Sequence, residues 1–501
     1  MLVSSLLICL SSLAAAQSLI AERAISGCYP LASNSTGDSS SFIKTSKSPQ
    51  GFVSAARGWN SWGIQANPRT IPGYSSTIAP YVNQSFIIEQ CTVLSGSAFV
   101  AAGYDLCSID DYWDSTVSDE YGRITYNATL FDMPTLATKL HDMGLKLGLY
   151  ARPSAPCDAA NKTISNTDIL VGSLFISGLE DARGNCYLNY SNPDTQLWHN
   201  ALIDLWASWG VDMIKLDFLT PGSIIGSLPI PDNTSAAAIA YHDAITNNGR
   251  QIRLDLSSNV CRNEPYLGIW KSSADSFRIA VDINSSGAAK FLGSMWKVQG
   301  TIEQYRQYIN LLVAAEETMS LHPDFDNMFV GNPESVSGVT DAQRITIASH
   351  WIGASANLIL GSDMTNIDDL GLKLATSQES IEAAKFCGRY PMQPRNPGTG
   401  SNQPMQLQAW IAGPDDDGQA YVLLTNLGAN LGRGGYVDLG SGLQNVSITL
   451  GDLGLTGSGY VATDVWFGNV TTVEAGGGLS ALLDDGNSQF LRLTLATQGS
   501  T

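Results

Sequence analysis

From residue 51 to residue 390, short apolar runs of strand length alternate with longer stretches of helical period, and each run ends in a polar or aromatic residue. The run ends are Trp59-Asn60-Ser61-Trp62, Leu106 to Asp110-Asp111, Leu145 to Tyr150, Ile214 to Asp217, Ile252 to Ser257, Phe277 to Asp282, Met328 with Asp324 and Asp326 before it, and Leu358 to Asp363. Helix-length stretches lie between them, among them Thr135 to Met143, Thr195 to Trp209 with Leu197, Ala201, Leu205 and Trp209 at four-residue spacing, and Thr301 to Met319. Eight alternations of strand and helix predict an α/β protein built as a (β/α)8 barrel. From Pro391 the helical period stops, and Gly, Asn and Asp turns separate runs such as Ala420-Tyr421-Val422-Leu423-Leu424 and Phe490-Leu491-Arg492-Leu493-Thr494-Leu495. That pattern predicts a C-terminal antiparallel β-sandwich domain over 391–501, reached through a Pro/Gly/Asn-rich linker from Pro391 to Gln403.

The N-terminus changes where the protein is expected to work. Residues 1–16 combine an apolar segment too short to span a bilayer with Ala14-Ala15-Ala16 and read as a signal peptide, followed by a Ser/Thr-rich leader over 17–50. A secreted, extracellular product is expected. Asn-x-Ser/Thr sequons at Asn34, Asn83, Asn127, Asn161, Asn189, Asn233, Asn284, Asn445 and Asn469 fit N-glycosylation during secretion. Cys28, Cys91, Cys107, Cys157, Cys186, Cys261 and Cys387 remain after cleavage, scattered in a way that favours disulfides over zinc. Seven is odd, so one thiol is left over; Cys157 with Cys186, flanking a Gly/Asn-rich segment, is the favoured pair. The formal charge of −19 argues against nucleic-acid backbones and anionic membranes as partners and favours a neutral substrate.

Barrel chemistry gathers where the strands end, so the polar run ends become candidate site residues. In Gly210-Val211-Asp212-Met213-Ile214-Lys215-Leu216-Asp217-Phe218, strand alternation puts Lys215 and Asp217 on one side. Asp110, Asp111, Asp217, Asp282, Asp326 and Asp363, with Lys215, Arg278, Tyr150 and tryptophans, give carboxylates for acid–base work, polar groups for hydroxyls and an aromatic face for a sugar's C–H surface. Two bland readings compete: strand-end aspartates cap helices, and Lys215 with Asp217 can be a structural ion pair. The five histidines show no zinc spacing, Gly432-Arg433-Gly434-Gly435 does not open a helix after a buried strand, and no Gly-x-Ser-x-Gly elbow occurs. No metal and no cofactor are expected.

Gly58-Trp59-Asn60-Ser61-Trp62, Ile109-Asp110-Asp111-Tyr112-Trp113, Gly144 to Tyr150, Trp209 to Asp217 and Ser276 to Ile283 resemble, in order and spacing, the motifs of glycoside hydrolase family 27, the retaining α-galactosidases and α-N-acetylgalactosaminidases. The resemblance implies a carbohydrate substrate ending in an α-linked galactose or related sugar, Asp217 as nucleophile and Asp282 as general acid/base. It implies Trp62, Asp110, Asp111, Tyr150, Lys215 and Arg278 as groups that hold the terminal sugar. Asp217 beside Lys215 is expected to stay ionised, whereas Asp282 needs a raised pKa, against which Arg278 works unless it turns to the substrate. The chain departs from the family at Asp217-Phe218-Leu219, where Asp-Asn-Cys is usual, so a disulfide commonly tied there is missing. It departs again at Asp110-Asp111-Tyr112-Trp113, where Asp-Asp-Cys-Trp is usual, and at Leu256-Ser257-Ser258, where Cys-Glu/Ser-Trp is usual. Ser257 is expected to face the sugar's C2 and leave room for a bulkier substituent. Alternatives therefore stay open: an α-N-acetylgalactosaminidase, a β-L-arabinopyranosidase-like specificity, or an inactive glycan-binding barrel.

Overall fold

In the computed structural model the described residues are 28, 42–67, 82–181, 183–223, 230–284, 291–395 and 405–496, so the signal peptide, nearly all of the leader, Asn34 and most of the linker lie outside them. Eight parallel strands follow one another around the barrel: β1 (Arg57–Asn60), β2 (Leu106–Ile109), β3 (Lys146–Ala151), β4 (Val211–Leu216), β5 (Arg253–Leu256), β6 (Ser276–Arg278), β7 (His322–Asp324) and β8 (Leu358–Leu360). From β1 to β7 each pairs with its neighbour in sequence, and β8 pairs with β1. The seam between β7 and β8 is bridged by Asn357 N–H donating to the Pro323 carbonyl and Met328 N–H donating to the Ile359 carbonyl. The seventh strand is thus His322–Asp324 rather than the run around Met328, because Met328 belongs to the closing bridge with Leu360.

The helices follow the predicted order with shifted faces and ends. In Asp194–Trp209 the buried side chains are Trp198, Leu202, Ile203, Trp206 and Trp209, whereas Leu197 is 40% exposed. The expected stripe through Leu197, Ala201 and Leu205 is off by one position, because the indoles have the larger apolar area to bury and set the rotation. Gly210, at φ +97°, ends this helix in the left-handed cap and turns the chain into β4; a Cβ there would also meet the His141 ring at 2.9 Å. The helix expected from Thr301 to Met319 instead runs Met295–Ala314.

The interior of the barrel is apolar only at its base, where Ala56, Leu106, Met213 and Ile359 meet. Above them it is polar: Asn357 Nδ2 donates to Ser276 Oγ at 3.0 Å, Ser276 Oγ donates to Asp255, and Asn60 Nδ2 donates to Ser108 Oγ at 3.3 Å. Register places Tyr150 beside Lys215 and Lys215 beside Asp255, so these side chains share one level and one side of the wall.

After β3 the chain leaves the barrel into a small three-stranded sheet of Ser154–Pro156, Phe175–Glu180 and Asn185–Leu188, which strand alternation in the sequence does not announce. Cys157–Cys186 staples it, as expected; Cys28–Cys261 and Cys91–Cys107 are the other disulfides among the described residues, and Cys387 is the free, buried thiol. The tail forms a six-stranded antiparallel sheet facing the antiparallel pair of Gln444–Thr449 and Gly478–Leu483, with Ile411, Val422, Leu424, Val446, Ile448, Leu479 and Leu493 between them. Its other face, through Trp410, Tyr421 and Phe490, joins the barrel's own core.

Candidate active site

The β-strand ends deliver the predicted residues to one mouth. Lys215, inward-facing at the end of β4, donates to Asp110 Oδ2 at 2.8 Å and lies 5.9 Å from the centre of the Tyr150 ring. Asp110 is fixed in turn by Ser61, whose hydroxyl accepts its backbone N–H at 2.9 Å. Arg278, 2% exposed at the end of β6, donates to Asp282 Oδ1 at 3.0 Å and lies 3.6 Å from Asp326 Oδ2. Asp326 Oδ2 also accepts the Ile283 N–H at 2.6 Å, so the segment carrying Asp282 hangs from Asp326 and Arg278 together. Trp62 is half-buried at the first turn of the short helix Trp62–Ala66, with its N–H held by Asn60 Oδ1.

Charges in this mouth are mutually dependent. Burial works against the Lys215 ammonium, but Asp110 and Asp217 more than offset it, and its pKa is raised. Enclosure pushes the Asp217 carboxyl up; Lys215 opposes this and the charge of Asp282 adds to it. Asp282 is held low: enclosure is outweighed by Arg278 and Lys215, consistent with a side chain that is 44% exposed. The expected order of the two carboxyls is therefore reversed in the open site. Arg278 sits on Asp282 rather than turning away.

Two predicted residues behave differently from expectation. Ser257 extends β5 by one residue at the level of Asp217, with its N–H bonded to the Leu216 carbonyl, but it is 1% exposed and its enclosed hydroxyl has no partner. The hydroxyl expected at the sugar's C2 is thus enclosed in this structure. Asp363 caps the turn Met364–Asn366, accepting from Thr365 N–H at 3.1 Å and from Gln90 Nε2 at 3.1 Å, so it is one of the structural strand-end aspartates.

The sequence reading missed a pair of arginines. Arg152, two residues beyond Tyr150 on the same strand face, donates to Asp111 Oδ2 at 2.7 Å, Tyr150 Oη at 3.1 Å and Asp181 Oδ2 at 3.3 Å. Its guanidinium stands 5.5 Å from the Phe218 ring, and the Phe218 N–H donates to Asp217 Oδ1 at 2.8 Å. Arg183, from the stapled insertion, bonds the other oxygen of Asp111 and lies 2.8 Å from Asp114. Period two along β3 could have shown Arg152; no local pattern marks Arg183, which arrives through tertiary structure. The buried histidines His199, His322 and His350 have pKa values lowered to about 4 by burial and bond backbone carbonyls, so they stand apart from the site's acid–base chemistry.

A family description, alpha galactosidase A, matches residues 64–169. The chain is 54% identical over 416 residues, 82% of each chain, to a protein of Emericella nidulans named among the alpha-galactosidases. The chain belongs to glycoside hydrolase family 27. Alpha-galactosidase 3 of Hypocrea jecorina is 46% identical over 93% of this chain and 75% of its own length. Among solved structures, a family 27 β-L-arabinopyranosidase of Geobacillus stearothermophilus superposes with a TM-score of 0.71 at 18% identity, covering 89% of this chain and 98% of that one. Alpha-galactosidase I of Mortierella vinacea superposes with a TM-score of 0.61 at 16% identity, covering 89% of this chain and 98% of that one. These two carry the fold: a parallel barrel with an antiparallel C-terminal region.

Proposed function

We propose that this family 27 glycoside hydrolase is a secreted exo-enzyme that releases terminal α-linked galactose with retention. The observation that carries the reading is the pair Asp217 and Asp282: two carboxyls delivered beyond the ends of β4 and β6, the charge of one reaching the other, with Lys215 on the same strand face as Asp217 and Arg278 bonded to Asp282. An Asp217 oxygen attacks the anomeric carbon as Asp282 gives its proton to the glycosidic oxygen and the C–O bond to the aglycone breaks. Water, losing a proton to Asp282, then displaces Asp217 and leaves the sugar in its original configuration. Lys215, Asp110, Asp111, Tyr150, Arg278 and Trp62 surround the space where the galactosyl ring would sit.

Nitrophenyl α-galactoside, α-N-acetylgalactosaminide, β-L-arabinopyranoside and α-glucoside provide the test. The α-galactoside should be hydrolysed, NMR of the nascent product should show retained configuration, and Asp217→Asn should abolish turnover while leaving the far-UV CD spectrum unchanged. Inversion, or a folded Asp217→Asn variant with full activity, would overturn the assignment; silence on all four sugars would favour a glycan-binding barrel. The covered Ser257 hydroxyl predicts no gain for the N-acetylated sugar, so a preference for it would show that this side of the pocket opens on binding.

Secretion is read from the N-terminal segment and from the three disulfides. Glycans are expected at exposed sequons such as Asn161, Asn189, Asn233, Asn445 and Asn469. Among the described sequons Asn284 is the enclosed one, at 1% exposure, and is not counted with these.

A further inference from the structure

The helix Met295–Ala314 begins beside Asp282, and its first turn carries Trp296 and Lys297. Lys297 Nζ donates to the carbonyl of Asn284, two residues beyond Asp282, and its charge reaches the Asp282 carboxylate. The tail packs against the same helix. Gln299 of the same helix donates through Nε2 to the carbonyls of Leu427 at 2.8 Å and Ala429 at 3.0 Å, which pins the loop that follows against the helix. That loop carries Arg433, whose guanidinium stacks 4.7 Å from the centre of the Trp296 ring. The approach is close, since a Cβ on Gly300 would lie 3.1 Å from the Arg433 carbonyl oxygen.

Here the Asn284 side chain is 1% exposed, yet neither its Oδ1 nor its Nδ2 has a hydrogen-bond partner. An amide enclosed with both polar atoms unmet costs free energy unless something bonds it. Position says what that something is. A general acid protonates the oxygen that leaves, so groups beyond the acid on the outer side meet the leaving group rather than the sugar being released. The available chemistry is a half-buried indole, two cationic donors and an amide with one donor and one acceptor side, which matches hydroxyls and a C–H surface better than an apolar chain.

We propose that Asn284, Trp296, Lys297 and Arg433 form the subsite for the leaving group, and that it takes a sugar residue joined to the released galactose. The proposal rests on the reading of Asp282 as the acid. It makes the C-terminal region part of substrate recognition through Arg433. Galactosyl-oligosaccharides are then the preferred substrates, ahead of galactosides with small aglycones.

The full-length enzyme and two substrates test it: an α-1,6-galactosyl-glucose disaccharide, and α-galactosyl fluoride, whose single-atom leaving group reaches none of these side chains. Trp296→Ala and Arg433→Ala should each lower kcat/KM on the disaccharide by about 10-fold or more and leave that on the fluoride unchanged. Equal losses on both substrates would mean that the residues only support the fold or the acid, and no loss on either would mean that no subsite exists there; each outcome overturns the proposal. Arg433→Ala lies in a surface loop, so it keeps the test valid if Trp296→Ala fails to fold. A wild-type enzyme inactive on both substrates would overturn the galactosidase reading, and the subsite with it.

Discussion

Arg152 concentrates more of the site's geometry in one side chain than any residue predicted from the sequence. It bonds Asp111 and Tyr150, two of the sugar-holding candidates, and its guanidinium covers Phe218, the residue that donates its N–H to Asp217. The family's usual disulfide after the nucleophile is missing here, and this stacked guanidinium ties the same strand end to β3. Charge-assisted hydrogen bonds of this kind are worth about 1.5–3 kcal/mol each. Arg152→Gln should therefore lower kcat/KM on an α-galactoside about 10- to 100-fold and lower the melting temperature with it, and Arg152→Lys should recover little of either, because an ammonium cannot reach Asp111, Tyr150 and Asp181 in the planar fork that a guanidinium offers. Steady-state kinetics of both variants with a melting curve for each decides the matter; full rescue by lysine would mean that charge alone suffices. At the same scale, the pH profile of kcat/KM should be bell-shaped, its limbs belonging to the coupled pair Asp217 and Asp282. Arg278→Gln removes the group that holds Asp282 low, so the limb that Asp282 sets, where activity falls as pH rises, should move to higher pH. A profile that does not move would place the proton elsewhere.

At the scale of elements, Cys157–Cys186 has a functional consequence. The staple closes the insertion that brings Asp181 to Arg152 and Arg183 to Asp111. The variant with both cysteines replaced by serine should loosen this sheet while the large core that the barrel shares with the tail still unfolds cooperatively. The expected signature is a raised KM for an α-galactoside with a smaller change in kcat, read alongside a melting curve. An unchanged KM would show that Arg183 is placed by the barrel alone. The insertion also shows where sequence reading stops. Barrel strands were legible because each is an apolar run of strand length ending in a polar residue, and β4 could be placed to the residue at Lys215 and Asp217. The strands of the insertion are short, half-exposed and lack alternation, so nothing local marks them. The rotation of Asp194–Trp209 was misjudged because apolar residues surround that helix and only packing chooses a face. Ser257 was placed at the right level, but whether its hydroxyl is open or covered depends on neighbours from other strands. Asp363 and Asp282 look alike in sequence, each a strand-end aspartate; one caps a turn and the other meets Arg278.

Across the whole molecule, the barrel and the tail are one packed body, and the helix Met295–Ala314 is the element they share. Its Tyr305 stacks on Trp410 of the tail at 5.7 Å, and Arg306 stands 4.7 Å over the same indole. Glu303, 7% exposed on this helix, is pushed up to about 7 by burial, with Arg306 only partly opposing, and the tail closes over it at Gly435. The sign of its contribution follows from linkage. In the unfolded chain a glutamate titrates near about 4.3, so between that value and about 7 the folded protein keeps a proton that the unfolded chain has released. Stability from this group is full below the unfolded value, falls as pH rises through the window, and is level again above it. Glu303→Gln removes the titration. Relative to wild type, the variant should gain up to about 3 kcal/mol between pH 4 and pH 8, all of it inside that window. Urea unfolding of both proteins at several pH values measures this directly, and parallel curves would show that Glu303 stays charged at the junction. Through Glu303 the junction is firmer at mildly acidic than at neutral pH, because the glutamate is then neutral where the tail packs over it at Gly435.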